Sequence, residues 1–214
     1  MPPKPKFTSD EIILAALAIV SDRGVNSLTA RELAGKMGCS TRPIFTVFSD
    51  MDELKHEVRK LAAEQLQKIC DHTINEHGSF VEVAIEVIRF AKRDPNLYDL
   101  LFMFRDNQQV GFLDLMQDSE RSERSYIEFI SETYGLEEAN ARTLFRQMWI
   151  HCLGMGVMCV TQRYVFTDEE IVSCVVDFFD ATLAHLRERE GSQGGSTAGA
   201  DDAEPEAWVL ASSQ

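Results

Sequence analysis

Residues 29–52 constrain the fold more than any other stretch, because they have the pattern of two short helices joined by a glycine turn. Thr29 and Glu32 have the spacing of a capping box, which begins a helix. Gly38 is the residue type that ends a helix in a left-handed conformation. Ser40 is then placed to cap a second helix. Two helices joined by so short a turn predict a helix-turn-helix.

The outward face of the second predicted helix has side chains suited to nucleic acid. Ser40, Thr41 and Thr46 offer hydroxyl groups, and Arg42 offers a guanidinium group, for phosphates and base edges. In a helix-turn-helix the second helix lies in the major groove of DNA, and its N-terminal end attracts phosphate through the helix dipole. Short helix pairs also occur in all-α proteins that do not bind DNA, so the pattern alone leaves both interpretations open.

The net charge of −14 is distributed unevenly along the 214 residues. Residues 1–60 contain nine Lys and Arg against eight Asp and Glu, a charge of +1, and the remainder carries −15. Because the acidic part repels phosphate, only the N-terminal segment can face nucleic acid. Residues 2–6 are rich in Pro and Lys, which indicates either an arm that reaches DNA or a frayed terminus. We expect modest, salt-sensitive affinity that depends on dimerisation.

The composition is that of a globular protein, with 44% apolar and 26% charged residues. The most apolar run, residues 149–160, is shorter than the roughly 20 residues that cross a bilayer. Asp10 and Glu11 interrupt the junction between the basic N-terminus and the apolar positions at 12–20, which follow a helical period. This pattern argues against a signal peptide and predicts a cytoplasmic protein. His151 and His185 lack the neighbours of a catalytic site, and no phosphate loop or dinucleotide motif occurs. We therefore expect neither an enzyme nor a bound cofactor.

The five cysteines are scattered and form no CxxC pair, so neither a disulfide framework nor a zinc ribbon is predicted. Cys70, His72 and His77 do not all face one way on a helix, and no metal site is expected. Cys152 and Cys159 share a helix face, with Cα atoms ~10.5 Å apart at 1.5 Å per residue. That distance is too long for a disulfide between them, so thiol sensing stays open only through another helix or subunit.

Apolar periodicity and caps predict helices throughout most of the chain. Thr8 and Glu11 form a further capping box, whose helix completes a three-helix domain with the helix-turn-helix. A long helix begins at Ser49 and ends at Gly78, and it links this domain to the remainder. No alternating strand pattern occurs. We predict an all-α chain with a helix-turn-helix domain at 1–48, a second helical domain at 49–190 and a disordered acidic tail at 191–214.

The last two predicted helices are unusually apolar. One spans residues 137–163, and the other opens with a capping box formed by Thr167 and Glu170. Gly154 and Gly156 lie inside the first, where each costs roughly 1 kcal/mol relative to alanine, so they suggest close approach of another backbone or a ligand. Two helices this apolar exceed what one small domain covers. They predict a homodimer that pairs them as a four-helix bundle.

Residues 1–58 combine several features in a specific order. They are an amphipathic helix ending at Gly24, the T-x-x-E-L-A run from Thr29, the turn glycine Gly38, the aromatic pair Phe45 and Phe48, and the opening of the long helix at Asp52, Glu53 and Leu54. This order resembles the N-terminal domain of the TetR (tetracycline repressor-like) family of bacterial transcriptional regulators. The rest of the chain matches by architecture, and weakly by Trp149 and Gly154.

The resemblance implies a homodimer that binds a palindromic operator in double-stranded DNA. It also implies that a small molecule enters the helical domain and tilts the long helix, which changes the separation of two recognition helices that read half-sites about 34 Å apart. The candidate DNA contacts are Thr29, Arg31, Ser40, Thr41, Arg42, Pro43, Phe45 and Thr46. The candidate effector contacts are Phe90, Phe102, Met103, Phe112, Met116, Met148, Trp149 and Cys152.

Three positions depart from the family pattern. Phe45 replaces a frequent Tyr, Met51 replaces a frequent Lys, and Leu153 replaces a His found in some members. The first two changes remove hydrogen bonds to phosphate, worth about 1 kcal/mol each on the usual net scale. An alternative function is therefore a helical interaction protein that has the TetR fold but has lost sequence-specific DNA binding.

Overall fold

The computed structural model describes residues 7–104 and 120–193. Within these ranges every regular element is helical, which confirms the all-α prediction. The helices are α1 (Ser9–Arg23), α2 (Ala30–Lys36), α3 (Ile44–Val47), α4 (Met51–His77), α5 (Phe80–Arg93), α6 (Pro95–Phe102), α7 (Glu120–Tyr134), α8 (Glu138–Val160) and α9 (Asp168–Gln193). The N-terminal arm at 2–6, Phe112, Met116 and the tail from 194 onward lie outside the described residues.

Hydrogen-bonded caps delimit the first two helices. The amide of Glu11 donates to Thr8 Oγ1, and the amide of Thr8 donates to the Glu11 carboxylate, so the predicted box is complete. At α2 only half of the predicted box forms. Glu32 N–H donates to Thr29 Oγ1 at 3.2 Å, but the Glu32 carboxylate pairs with Arg23 at 2.9 Å instead of returning to the Thr29 amide.

The turn after α2 is a Schellman motif built on a glycine. Gly38 has a φ of 62°. The amide of Cys39 donates to the carbonyl of Ala34, and the amide of Gly38 donates to the carbonyl of Gly35. These two bonds satisfy carbonyls that the helix end leaves free. The glycine therefore ends α2 as its sequence position predicts.

The second helix of the motif is shorter than the sequence predicts. Regular helix spans only Ile44–Val47, and Ser40 makes no capping hydrogen bond to it. Pro43 has no N–H group to donate, and the bond from Phe45 N–H to the Thr41 carbonyl is long at 3.4 Å. With so few aligned peptides the dipole at this N-terminus is weak, because the macrodipole is a sum over peptide units. The attraction of phosphate predicted for this helix therefore has to come from its side chains and not from its dipole.

Helix α4 is a single rod that belongs to both halves of the structure. It contains 27 residues and is therefore about 40 Å long at 1.5 Å per residue. The Asp50 carboxylate accepts the amides of Asp52 and Glu53, so the helix begins at Met51 and not at Ser49. It ends at Gly78, as predicted, with a φ of 59°. It contacts α1 of the N-terminal half and α5 and α6 of the C-terminal half.

Helices α5 and α8 form the centre of the C-terminal half. α8 packs on α5, α6, α7 and α9, and α5 also contacts α4 and α9. Ile127 and Ile130 of α7 are buried, as predicted for that helix. Helix α9 opens with the predicted capping box of Thr167 and Glu170. It continues three residues into the predicted tail, because Ser192 Oγ donates to the Glu188 carbonyl in a further helical turn.

The two glycines of α8 have different surroundings. A Cβ atom at Gly156 would overlap the ring of Tyr98, which is fully buried. Another group therefore does approach α8 closely at this position, but it is a side chain of α6 and not a backbone or a ligand. Nothing lies within 4 Å of a Cβ atom at Gly154, so the predicted close approach is not present there within the protomer. None of the helices in the described part is long and apolar enough to cross a membrane.

Candidate nucleic-acid interface and effector cavity

The predicted DNA-binding residues share one accessible face of the helix-turn-helix. Its exposed members are Thr29, Arg31, Ser40, Arg42, Phe45 and Thr46, and its half-buried members are Thr41 and Pro43. Phe45 is the most apolar of them, with 46% of its surface exposed. The face is fixed from beneath, because Leu33 of α2, Ile44 of α3 and the adjoining Phe48 are buried in the core. A rigid apolar base thus supports a polar outer face.

The cations of this face are available to a ligand. Among the described residues, Arg31 and Arg42 have no hydrogen-bond or ion-pair partner, whereas Arg23 is paired with Glu32. The Thr46 hydroxyl donates to the Arg42 carbonyl at 2.9 Å. It can therefore serve a ligand only as an acceptor. Because phosphate oxygens are acceptors, Arg31 and Arg42 are better suited than Thr46 to bind them.

A small cavity lies within the C-terminal half, between α4, α5, α6, α7 and α8. Its volume is about 50 Å³. The residues that line it are mostly apolar and aromatic: Ala63, Leu66, Gln67, Cys70, Phe80, Val83, Leu101, Phe102, Tyr126, Phe145 and Trp149. The space suits a few water molecules, so a drug-sized ligand has to push the walls apart.

The α4 wall of the cavity is a single stripe of that helix. Ala63, Leu66, Gln67 and Cys70 follow the i, i+3, i+4, i+7 pattern and so lie on one face. These residues belong to α4, so a ligand that displaces them displaces this helix, which begins directly after the helix-turn-helix. The cavity is thereby connected mechanically to the predicted DNA-binding face.

A hydrogen-bonded cluster closes one end of the cavity. Gln67 Nε2 donates to Asp71 Oδ1 at 2.7 Å and to the Tyr126 hydroxyl at 3.3 Å. The Tyr126 hydroxyl in turn lies 3.4 Å from Asp71 Oδ1. Burial raises the pKa of the Cys70 thiol to about 12 and also raises the pKa of Tyr126. Both groups are therefore neutral near pH 7.

The structure places only some of the predicted effector residues at this cavity. Phe102 and Trp149 line it, whereas Phe90, Met103, Met148 and Cys152 do not. Met148 and Phe90 are buried in the core, and the Cys152 thiol approaches the Ala84 carbonyl of α5 at 3.6 Å. Apolar spacing along α8 cannot separate residues that fill the core from residues that border a void, because both are buried.

Most of the cavity lining was not singled out from the sequence. Phe80, Phe145 and Tyr126 contribute aromatic rings to it, and Leu66 and Cys70 contribute from α4. Their apolar character was visible in the helical periods, but their convergence depends on how α4, α5 and α7 pack. A signal that could have indicated the cavity is Gln67, a polar residue among the apolar positions of α4.

The outer surfaces of α8 and α9 carry exposed apolar side chains. Ile150 is 56% exposed, and Met158 and Val172 are 40% and 37% exposed. The His151 ring stacks on the Phe178 ring at 4.3 Å with an interplanar angle of 3°, which ties α8 to α9. Burial lowers the pKa of His151, so this ring is neutral near pH 7.

Thiol sensing through Cys152 is disfavoured by its surroundings. Burial raises the pKa of its thiol to about 12, and the reactive species is the thiolate. Burial also raises the pKa of Cys159. Within residues 7–104 and 120–193, no group of three His, Cys, Asp or Glu residues is placed to hold a metal ion.

No family model matches the chain, and no curated protein matches it by sequence. Solved structures are similar in fold. A protein of unknown function from Rhodococcus sp. RHA1 has a TM-score of 0.64 and 16% identity, and the alignment covers 87% of this chain and 99% of that one. A putative TetR-family transcriptional regulator from Mesorhizobium loti MAFF303099 has a TM-score of 0.60 and 22% identity, with coverage of 83% and 95%.

The third similar structure is NalD, the secondary repressor of the MexAB-OprM multidrug efflux pump in Pseudomonas aeruginosa. Its TM-score is 0.52 at 14% identity, and the alignment covers 81% of this chain and 94% of NalD. At these identities the likeness concerns the fold. An N-terminal helix-turn-helix, a long connecting helix and a helical C-terminal half agree with the resemblance noted in the sequence. The chain has the all-α fold of the TetR-family regulators.

Proposed function

We propose that the protein is a ligand-responsive transcriptional repressor that binds a palindromic operator as a homodimer in the cytoplasm. A small hydrophobic effector releases it from DNA. The observation that carries this proposal is the exposed face with Arg31, Thr41 and Arg42, joined by the continuous helix α4 to an aromatic cavity.

The coupling follows from the length and contacts of α4. Its cavity-lining stripe ends at Cys70, about 30 Å from the helix start at 1.5 Å per residue. A ligand larger than the cavity displaces this stripe, and the rod transmits the displacement to the helix-turn-helix. The ligand shifts the equilibrium only by the difference in its affinity for the two states. A shift of a few ångströms is enough to prevent two recognition helices from entering successive major grooves.

Two copies are needed to reach useful affinity, because one face presents few cations. The exposed apolar side chains of α8 and α9, such as Ile150 and Met158, are the surface that we assign to the dimer. A twofold pair of these helices forms a four-helix bundle and buries both copies of the patch.

Selection of binding sequences from a random DNA pool tests the proposal. The purified full-length chain should enrich a palindrome with two half-sites centred about one helical turn of DNA apart, or a small multiple of that spacing. Affinity for the enriched sequence should fall with added salt, since counterions are released on binding. Failure to enrich any sequence, even at low salt, contradicts the repressor proposal.

That negative outcome favours the alternative function, a helical interaction protein that keeps the fold without DNA binding. Phe45 supports this alternative. Its exposed phenyl ring replaces the tyrosine that is frequent in the TetR family and whose hydroxyl can donate to phosphate. The acidic balance beyond residue 60 supports it as well, since that part of the chain repels DNA.

A further inference from the structure

We propose that the effector is an uncharged, largely apolar molecule with a hydrogen-bond acceptor, such as a carbonyl oxygen, that binds the indole N–H of Trp149. This inference rests on the proposed function, because it takes the aromatic cavity as the effector site. It adds the chemical class of the ligand and the side chain that selects it.

Trp149, which lines the cavity, carries an unsatisfied indole donor that a ligand reaches only when the cavity opens. The residue is 8% exposed, and its Nε1 atom is inaccessible to solvent and has no hydrogen-bond partner in the described part of the chain. A buried donor without a partner costs about 1–3 kcal/mol, and buried tryptophans usually satisfy theirs. An acceptor on the ligand, about 2.9 Å from Nε1, recovers part of that cost.

The cavity disfavours a charged ligand. No Asp, Glu, Lys or Arg is among the described residues that line it, and Cys70 and Tyr126 are neutral near pH 7. Burial of an unpaired ionised group is costly, so a carboxylate or ammonium ligand pays a penalty that no lining residue offsets. Asp71 belongs to the cluster at one end, but Gln67 already donates to its carboxylate. The chemistry that fits is a neutral molecule.

The rings around Trp149 favour a compact, flat ligand. The Phe145 ring is nearly parallel to the indole at 6.5 Å between centroids, and the Phe102 ring meets it edge-on at 6.0 Å. Such an arrangement accepts an aromatic ring in stacked or edge-to-face contact. The present volume of about 50 Å³ is small, so binding opens the cavity against α4.

A matched pair of probes isolates the acceptor. Acetophenone and α-methylstyrene have nearly the same shape, and the second has a methylene group in place of the carbonyl oxygen. Their affinities for the full-length protein are measured by calorimetric titration in wild type and in Trp149→Phe, which keeps an aromatic ring and removes the N–H. Each ligand is compared with itself in the two proteins, so the difference between the desolvation free energies of the two ligands cancels.

We expect Trp149→Phe to weaken acetophenone binding by roughly three- to tenfold relative to α-methylstyrene, the range of one net hydrogen bond. Trp208→Phe is the control and should leave the ratio of affinities unchanged. The chain contains two tryptophans, so protein labelled with ¹⁵N at the indoles gives two indole signals that these variants assign. Acetophenone should move the Trp149 indole proton downfield, and α-methylstyrene should not.

The inference is overturned by any of three results. They are a ratio of affinities that Trp149→Phe changes by less than twofold, a Trp149 signal that acetophenone leaves unmoved, or binding of neither probe up to its solubility limit. Selection from the DNA pool is read separately. If a palindrome is enriched but the protein does not prefer acetophenone to α-methylstyrene, only the ligand assignment is rejected. If the protein prefers acetophenone but enriches no palindrome, only the repressor function is rejected.

Discussion

Gly154 and Gly156 lie two residues apart on one helix, but only Gly156 requires glycine. We expect Gly156→Ala to lower the free energy of unfolding by about 1–3 kcal/mol, because its methyl group overlaps the buried Tyr98 ring. Measured in the Ile150→Asp background, which removes the proposed dimer contact beside it, Gly154→Ala should raise it by up to about 1 kcal/mol, since alanine favours helix and no described group of the protomer lies within 4 Å of the added Cβ atom. Urea denaturation of both variants measures the difference. Equal effects would contradict this account of the two sites.

Arg42 is the exposed cation closest in sequence to α3, and we expect its guanidinium to contact DNA. Arg42→Ala should weaken binding to the selected operator by roughly tenfold and reduce the slope of log affinity against log salt by about one, if its contact is to phosphate. Arg124→Ala is the matched control, because Arg124 is exposed on α7 and paired with Glu128. Fluorescence anisotropy at several salt concentrations provides both quantities. An unchanged affinity for Arg42→Ala would remove this side chain from the interface.

The apolar outer surface of helices α8 and α9 is the surface that we expect to form the dimer interface. Ile150→Asp should convert the dimer to monomer, because a carboxylate buried in a four-helix interface is unpaired. The fold of the protomer should be unaffected, since Ile150 is 56% exposed. Leu14→Asp on α1 is the control, as Leu14 is 55% exposed on another element. Sedimentation equilibrium distinguishes the species. A wild type that stays monomeric, or an Ile150→Asp variant that stays dimeric, contradicts the assignment.

A buried side chain, Arg59, joins α4 to α6. It is 6% exposed, and its guanidinium donates to the Leu101 carbonyl of α6 at 2.9 Å. Arg59→Met should lower the free energy of unfolding by about 1–3 kcal/mol, because the carbonyl loses its donor. The neighbouring exposed Lys60→Met should change it by no more than about 0.5 kcal/mol. Thermal unfolding by circular dichroism compares the two. Similar losses in both variants would argue against the α4–α6 link.

Most of the helix boundaries could be predicted because the signals that set them are local. Thr8 with Glu11, Thr167 with Glu170 and the glycines Gly38 and Gly78 act within one helical turn, and each forms the predicted bond or conformation. The errors at α2 and α4 are competitions between neighbouring partners, whereas α3 is short because Pro43 donates no amide hydrogen bond. Glu32 binds Arg23 instead of the Thr29 amide, and Asp50 replaces Ser49 as the cap of α4.

The all-α class, the helix-turn-helix, the long connecting helix and the accessible side chains of the predicted DNA-binding face could be predicted from the sequence, because each depends on residues a few positions apart. Only the tertiary structure decided which buried residues border the cavity. Arg59 contacts Leu101, and Gln67 contacts Tyr126, across 42 and 59 positions of sequence. Such pairings follow from the packing of α4, α6 and α7 against one another, which the apolar period of each single helix does not specify.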